Sequence, residues 1–278
     1  MLFRGMDRAA LDAAYNNGNA VGSSRLERFR DDWKTRSQKL RDTRKPELDL
    51  RYGETPRERL DFYASGKPKA PTLLFIHGGY WQMNDKEDFN FIAEGPLAHG
   101  VNVAVVEYTL APDARMDQIC AEIRRSVDWL LANVARLGGD PAKLFVSGHS
   151  AGGHLTSIAM GNPALAGGIP ISGIFDLEPI RLNYLNAKLK LDEAEAERNS
   201  TIKHLPKQAG PLVVTVGAGE LPELVRQSAD YAKAWTASGL KAKYMPLPDH
   251  DHFSVLEELA NPDGKLTRAL HDLIAGKI

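Results

Sequence analysis

The chain has 278 residues, a formal net charge of −1 and a single cysteine. That length admits one large α/β domain with a sizeable core, and the near-neutral charge excludes a strong field for nucleic acid or an anionic membrane. One cysteine excludes an intrachain disulfide and a cysteine-built metal site, and no apolar run approaches a membrane span, so a reducing cytoplasm is the default compartment.

Residues 1–45 read as mostly helical and precede the first strand. Basic residues from Arg25 to Lys45 interleave there with Glu27, Asp31, Asp32 and Asp42, as on a solvated helix face. Strands are predicted over Leu60–Ala64 and Thr72–Ile76, the second running into "FIHGGYW" (Phe75–Trp81). A turn needs glycine, but it does not need Trp81. A helix is expected over Lys86–His99, a strand over Val101–Val106, and a helix over Arg115–Arg136 that holds Cys120 in buried packing. Continuous apolar runs such as "VNVAVVEY" suit central strands covered on both faces.

Leu144–Ser147 is the next strand, and "LFVSGHSAGGHL" reads as strand, sharp turn and helix (Ala151–Met160). Gly148-His149-Ser150-Ala151-Gly152 fits G-x-S-x-G, in which a strained backbone lifts a nucleophilic hydroxyl above the strand end. Glycines flank the serine because a Cβ would clash there. The Ala151 N–H opens the helix and faces the place where an oxyanion would form. After the strand Gly168–Ile171, residues 176–206 interrupt the alternation with polar helical material, of which "DEAEAER" reads as a solvated face. This segment and residues 1–45 are candidate lids over the carboxyl edge of the sheet, where open α/β sheets bind ligands.

The strand Leu212–Val216 delivers Glu220 in a glycine-flanked loop before the helix Pro222–Ser238. Glu223 reads as a first-turn residue favoured by the helix dipole. The last strand, Ala242–Leu247, precedes His250 and His252, and a closing helix is expected over Asn261–Ala275. Strands separated by helices imply a mostly parallel, doubly wound sheet of about eight strands. In this topology the chain order of a hydrolytic triad is serine, acid, histidine. Ser150, Glu220 and His252 meet that order, with His250 and the aspartates beside it as loop residues. The strand–Gly-Gly loop supplies a second oxyanion donor, Gly79 with Gly78 as neighbour, and His77 anchors the loop. Tyr80, Trp81 and Phe253 offer flat faces to an aromatic group, and Trp81 serves equally well as a brace for the loop. His154, one turn into the elbow helix, faces either the pocket or a structural hydrogen bond. No metal spacing or complete dinucleotide fingerprint is present, so neither metal nor cofactor is expected. The expected partner is a small-molecule substrate, and the sequence admits a homodimer.

"HGGYW" with "GHSAGGH" resembles the kynurenine formamidase (arylformamidase) group of α/β-hydrolases, and the likeness covers most of the chain. "LDAAYNN" is similar to that group's leader helix, "YGETPRERLDFY" to its first hairpin, "EYTLAP" to the strand after the oxyanion loop, and "SGIFDLEPI" with "LNAKLKL" to its lid. "ELPELVRQS" resembles the acid loop and "DHF" the catalytic histidine. The resemblance implies a nucleophile at Ser150, an acid at Glu220, a base at His252 and oxyanion donors at Gly79 and Ala151. It implies hydrolysis of N-formyl-L-kynurenine, with a carboxylesterase or amidase for small aryl substrates as the alternative on the same residues. Glu220 departs from the better-known animal members, which carry aspartate at the matching place.

Overall fold

Side chains alternate along each central strand and sort a continuous apolar run onto two faces. In the computed structural model, which describes residues 1–278, Leu74, Ile76, Ala104, Val106 and Val214 enter one core layer. Their neighbours Leu73, Phe75, Val103, Val105 and Val213 enter the other. The strands are β1 (Glu47–Arg51), β2 (Arg59–Tyr63), β3 (Ala70–Ile76), β4 (Asn102–Val106), β5 (Gly139–His149), β6 (Gly167–Ile171), β7 (Leu212–Gly217) and β8 (Ala242–Leu247). They form an eight-stranded sheet of order β1-β2-β4-β3-β5-β6-β7-β8. β1 and β2 run antiparallel to their neighbours, and the remaining pairs are parallel. This is the α/β-hydrolase fold. No helix is long and apolar enough to cross a membrane.

Three expectations change. β1 has no counterpart among the predicted strands, because it is an edge strand with mostly exposed side chains and no apolar run. Lys86–His99 is not one helix: a 3₁₀ segment over Lys86–Ala93 gives way to a short α-helix, Glu94–Ala98. Pro96 lacks the N–H that a continuous helix would need, and a Cβ at Gly95 would come within 2.2 Å of the Leu259 carbonyl oxygen. In the inserted segment 176–206 the expected helical material is three short helices (Glu178–Arg181, Asn186–Leu189 and Glu193–Asn199), but the "DEAEAER" stretch is not a wholly solvated face. Glu195 is buried rather than solvated. Its carboxylate pairs with Arg115 and accepts the Asp117 N–H at the start of the Met116–Asn133 helix.

The N-terminal residues pack onto the sheet's carboxyl edge as α1 (Arg8–Ala13), α2 (Asn17–Val21) and α3 (Ser23–Arg44). Trp33, Ser37 and Leu40 are the buried positions of α3, a spacing that marks one helix face. Trp33 stacks on Phe91 at 5.2 Å and tilts against Phe89 at 5.7 Å, so α3 lies on the 3₁₀ segment.

Lys86 fastens that segment to the sheet. It is 1% exposed, and its ammonium meets Asp61 of β2 at 2.9 Å, Asp49 of β1 at 3.1 Å and Glu87 at 2.7 Å. Lys86→Met strands the buried Asp61 carboxylate and is expected to cost about 3–5 kcal/mol in urea unfolding at neutral pH. Adding Asp61→Asn should recover most of that loss. An unchanged single variant would show that the network carries no net stability.

Candidate active site

The carboxyl ends of β3, β5, β7 and β8 deliver the four segments that meet over the sheet. Ser150 follows β5 with φ 58° and ψ −117°, a left-handed region that a non-glycine residue seldom enters. Crowding accounts for the small residues around it. A Cβ at Gly148 would lie 2.4 Å from the Gly152 carbonyl oxygen, and one at Gly152 would lie 2.0 Å from that of Ile76. The Ser150 N–H donates to the Ile171 carbonyl at 2.8 Å, fixing the turn to β6.

Glu220 and His252 meet across the next two loops. His252 donates through Nδ1 to Glu220 Oε2 at 2.6 Å, which leaves Nε2 as the acceptor nitrogen. The other carboxylate oxygen, Oε1, accepts the Ser172 hydroxyl at 2.5 Å and the Gly217 N–H at 2.7 Å. Glu223 is engaged elsewhere, by the Tyr15 hydroxyl at 3.0 Å and by Arg226 at 2.7 Å. His250 turns to Glu258 at 2.9 Å and is a loop residue, as expected. Sequence reasoning gave no role to His149. Its Nε2–H donates to the His252 carbonyl at 2.6 Å and its ring lies 4.5 Å from that of His252. Burial, then the neighbouring His252, pushes its pKa well below the ordinary value, so it serves as a neutral brace.

The loop after β3 is held from behind. The Gly78 carbonyl accepts His77 Nδ1 at 2.8 Å and the Asn84 side-chain amide at 3.1 Å. In a trans peptide the N–H points opposite to the carbonyl, so these two donors turn the Gly79 N–H the other way. Neither that N–H nor the Ala151 N–H has an acceptor within the protein. Gly79 has φ 117°, and a Cβ there would come within 2.3 Å of the Met83 carbonyl oxygen. At Gly78 a Cβ would meet the His149 carbonyl oxygen at 2.7 Å and Ser150 Cβ at 3.0 Å, so the loop and the elbow touch.

His77 turns its other nitrogen to Glu107 at 2.9 Å; serving both acceptors at once takes both ring protons. Glu107 also accepts Arg57 at 2.7 Å and the N–H groups of Lys86 and Tyr108. Burial would raise the Glu107 pKa, but His77, Arg57 and the Lys86 N–H together hold it below the ordinary carboxylate value. Asp85 and Glu87 converge on Glu107, with ligand-capable atoms within 4.8 Å of one another, a grouping their spacing does not reveal. Arg57 and Lys86 already partner these acids.

A cavity of about 520 Å³ opens over Ser150 and His252. Gly78, Gly79, Tyr80 and Phe253 line it. Tyr80, at φ 51°, donates its hydroxyl to the Tyr15 carbonyl at 2.5 Å and accepts from Asn17, tying the loop to the N-terminal segment. Trp81 and His154 do not line it, and each follows the structural one of its two readings. Trp81, at φ 58°, is wholly buried and packs edge-on against His154 at 5.3 Å, so it braces the loop from below. His154 is also wholly buried, donates to the Asn199 carbonyl at 2.8 Å, and is pushed by burial to a pKa of about 4. Sequence reasoning missed the roof of the cavity. Trp33 and Phe89 add aromatic faces, and α3 and the inserted segment bring Arg30, Lys34, Tyr184 and Lys188. Their apolar and charged positions on amphipathic helices carry no motif; only the candidate-lid reading pointed to them.

The arrangement provides a lifted hydroxyl, a histidine oriented by a carboxylate, and unbonded N–H groups beside an aromatic cavity, the parts needed for acyl transfer. Comparisons with known proteins agree. A family model described as BD-FAE matches residues 60–164. A kynurenine formamidase of Danio rerio is 33% identical over 256 residues, covering 87% of this chain and 86% of its own. One from Salmo salar is 36% identical over 240 residues, covering 80% of each chain. The crystal structure of a Silicibacter sp. protein, provisionally described as a thioesterase, has a TM-score of 0.85 at 28% identity and covers 94% of this chain and 98% of the other. An esterase from Pyrobaculum calidifontis, at 16% identity, TM-score 0.72 and coverage of 91% and 94%, shares the fold. The chain is a hydrolase and belongs to the kynurenine formamidase family.

Proposed function

We propose that the chain is an arylformamidase that hydrolyses N-formyl-L-kynurenine to kynurenine and formate through Ser150, His252 and Glu220. The His252–Glu220 contact of 2.6 Å beside the strained Ser150 carries this reading. His252 Nε2 takes the Ser150 proton as Oγ attacks the formyl carbon. The N–H groups of Gly79 and Ala151 receive the developing oxyanion. Glu220 stabilises the imidazolium, which then protonates the departing aryl amine. Water, activated by the same histidine, releases formate from the formyl-serine. Protonation matters more for an amine than for an ester leaving group, so a firmly held His252 suits amide chemistry. The aromatic faces of Tyr80, Trp33, Phe89 and Phe253 suit an aryl leaving group. The runner-up, an esterase or amidase for small aryl substrates, draws on the thioesterase description of the structurally similar Silicibacter protein. A buried Cys120 without a disulfide partner suits a reducing compartment such as the cytoplasm.

The deciding measurement is kcat/KM for N-formyl-L-kynurenine against phenyl acetate and acetanilide. A formyl preference above about tenfold supports the formamidase, and a smaller one supports the esterase. Glu220→Gln should lower kcat by about 100- to 10,000-fold with an unchanged unfolding midpoint; near-normal turnover would remove Glu220 from the mechanism.

Glu107 acts on the reaction only through His77 and the Gly78 carbonyl. Glu107→Gln is expected to lower kcat about 10- to 100-fold with little change in KM, because the loop donor is aimed less well. It should also change the acid limb of stability. The native pKa of Glu107 lies below its ordinary 4.5, so its contribution is full above that pH and is lost as pH falls through the lowered value. Urea midpoints measured from pH 7 down to pH 3 should therefore converge for the wild type and the variant. A constant gap across that range would assign the stability effect to another cause.

A further inference from the structure

The cavity roof holds a feature that ester or amide hydrolysis does not use. Leu26, Arg30, Trp33 and Lys34 of α3 all line the cavity, and their spacing puts them on one helix face. Asp31, between the cations, lines it too. Two of the other cations of α3 are tied to the protein. Arg25 pairs with Asp251 at 2.7 Å, and Arg36 meets Asp32, Glu94 and Glu257 at 2.7–3.1 Å. Lys188, the remaining cation at the cavity, donates to the Gln82 carbonyl at 3.0 Å. The side chains of Arg30, Asp31 and Lys34 are exposed and make no hydrogen bond and no ion pair, and among the unpartnered charges of α3 they are the ones that border the cavity containing Ser150 and His252.

A charge set of this kind, cation, acid and cation on one helical turn, matches a zwitterion. An arginine can take a carboxylate with two parallel hydrogen bonds, and a neighbouring lysine adds a point charge. The acid between them can accept from an ammonium group. Trp33, on the same helix face, adds an apolar surface to the cavity wall and lies 6.3 Å from Phe253, the neighbour of His252.

We propose that Arg30, Asp31 and Lys34 form a subsite for the α-amino-acid head group of the substrate. Arg30 and Lys34 bind the carboxylate and Asp31 the ammonium, which selects aryl formamides that carry an amino-acid tail over those that do not. The proposal deepens the formamidase reading and rests on it for the identity of the reacting group. It concerns binding, so it places no new group in the chemical step.

The test compares kcat/KM for N-formyl-L-kynurenine with kcat/KM for 2-formamidoacetophenone, the same formyl aryl ketone without the amino-acid head. In Arg30→Ala/Lys34→Ala the ratio is expected to fall by about tenfold or more, chiefly through KM for the first substrate. Lys39→Ala, which removes a charge from the same helix away from the cavity, should leave the ratio unchanged. A wild-type ratio near one, or a ratio the double variant does not move, overturns the subsite while leaving the formamidase intact. Calorimetric binding of L-kynurenine against 2-aminoacetophenone gives a readout independent of turnover. If the wild type prefers L-kynurenine, the double variant loses that preference and neither formamide is hydrolysed, the subsite stands and the formamidase reading falls. If the wild type binds both ketones equally, the subsite falls whatever the enzyme hydrolyses.

Discussion

Where β3 and β5 run side by side, Ile76 pairs with Gly148, and beyond that pair the two backbones come into contact. The Ile76 carbonyl oxygen lies where a Cβ of Gly152 would be, and the His149 carbonyl oxygen lies close to where one of Gly78 would be. The rest of the site depends on this contact. It brings the two segments that carry the unbonded N–H groups of Gly79 and Ala151 against each other and sets Ser150 between them. Any side chain at these glycines would separate the strands' ends, because the obstructing atoms are backbone and cannot rotate away. The parallel sheet thus supplies the register, and glycine permits that register to continue past the last ladder bond.

The positive-φ residues Gly79, Tyr80 and Trp81 follow from the same contact. The chain must leave β3, clear the elbow and turn back within a few residues. Two non-glycine residues held in the left-handed region are costly, roughly 1–3 kcal/mol each. Their side chains offset that cost in different ways. Trp81 is buried against His154 under the loop, and Tyr80 is hydrogen-bonded by its hydroxyl to the Tyr15 carbonyl and Asn17. Tyr15 in turn meets Glu223 and Gln227 at the helix that follows the acid loop. One short chain of contacts therefore joins the loop after β3, the N-terminal segment and the helix that follows Glu220. The N-terminal helices support the cavity as well as roof it.

What could be read from sequence divides along physical lines. Ser150, Glu220, His252 and the glycines were legible because their positions follow from strand ends, chain order and backbone crowding, which leave local marks. The parallel strands were legible because burial on both faces makes them apolar throughout. β1 was not, since an exposed edge strand carries no such run. Trp81 was legible as part of a motif but not in its direction: whether a large aromatic turns toward the cavity or the core depends on φ at its own residue. His149 leaves no mark in the sequence because its bond to the His252 carbonyl joins residues far apart along the chain. Arg30 and Lys34 sat in a stretch whose alternating charges describe a solvated helix equally well. Only the packing of Trp33 on Phe89 and Phe91, a tertiary fact, turns that helix face toward the cavity.

Glu220 shows how a local departure is absorbed. A glutamate reaches one methylene further than an aspartate, so its carboxylate would overshoot a histidine placed for the shorter side chain. Here the surplus length is taken up at the other oxygen: Oε1 folds back to the N–H of Gly217, in its own loop, and to Ser172 at the end of β6, itself held at φ 52°. Ser172 is fixed to β7 by its N–H bond to the Thr215 carbonyl at 2.8 Å. The carboxylate is thereby held by groups belonging to the sheet, and Oε2 alone is left to orient His252. The side chain of Glu220 is fully buried, and unpaired burial of such a group would be prohibitive. Three donors on two oxygens satisfy it. A glutamate at this place thus depends on a hydroxyl at the end of β6 to hold it, which couples Ser172 to Glu220 more closely than either is coupled to Ser150.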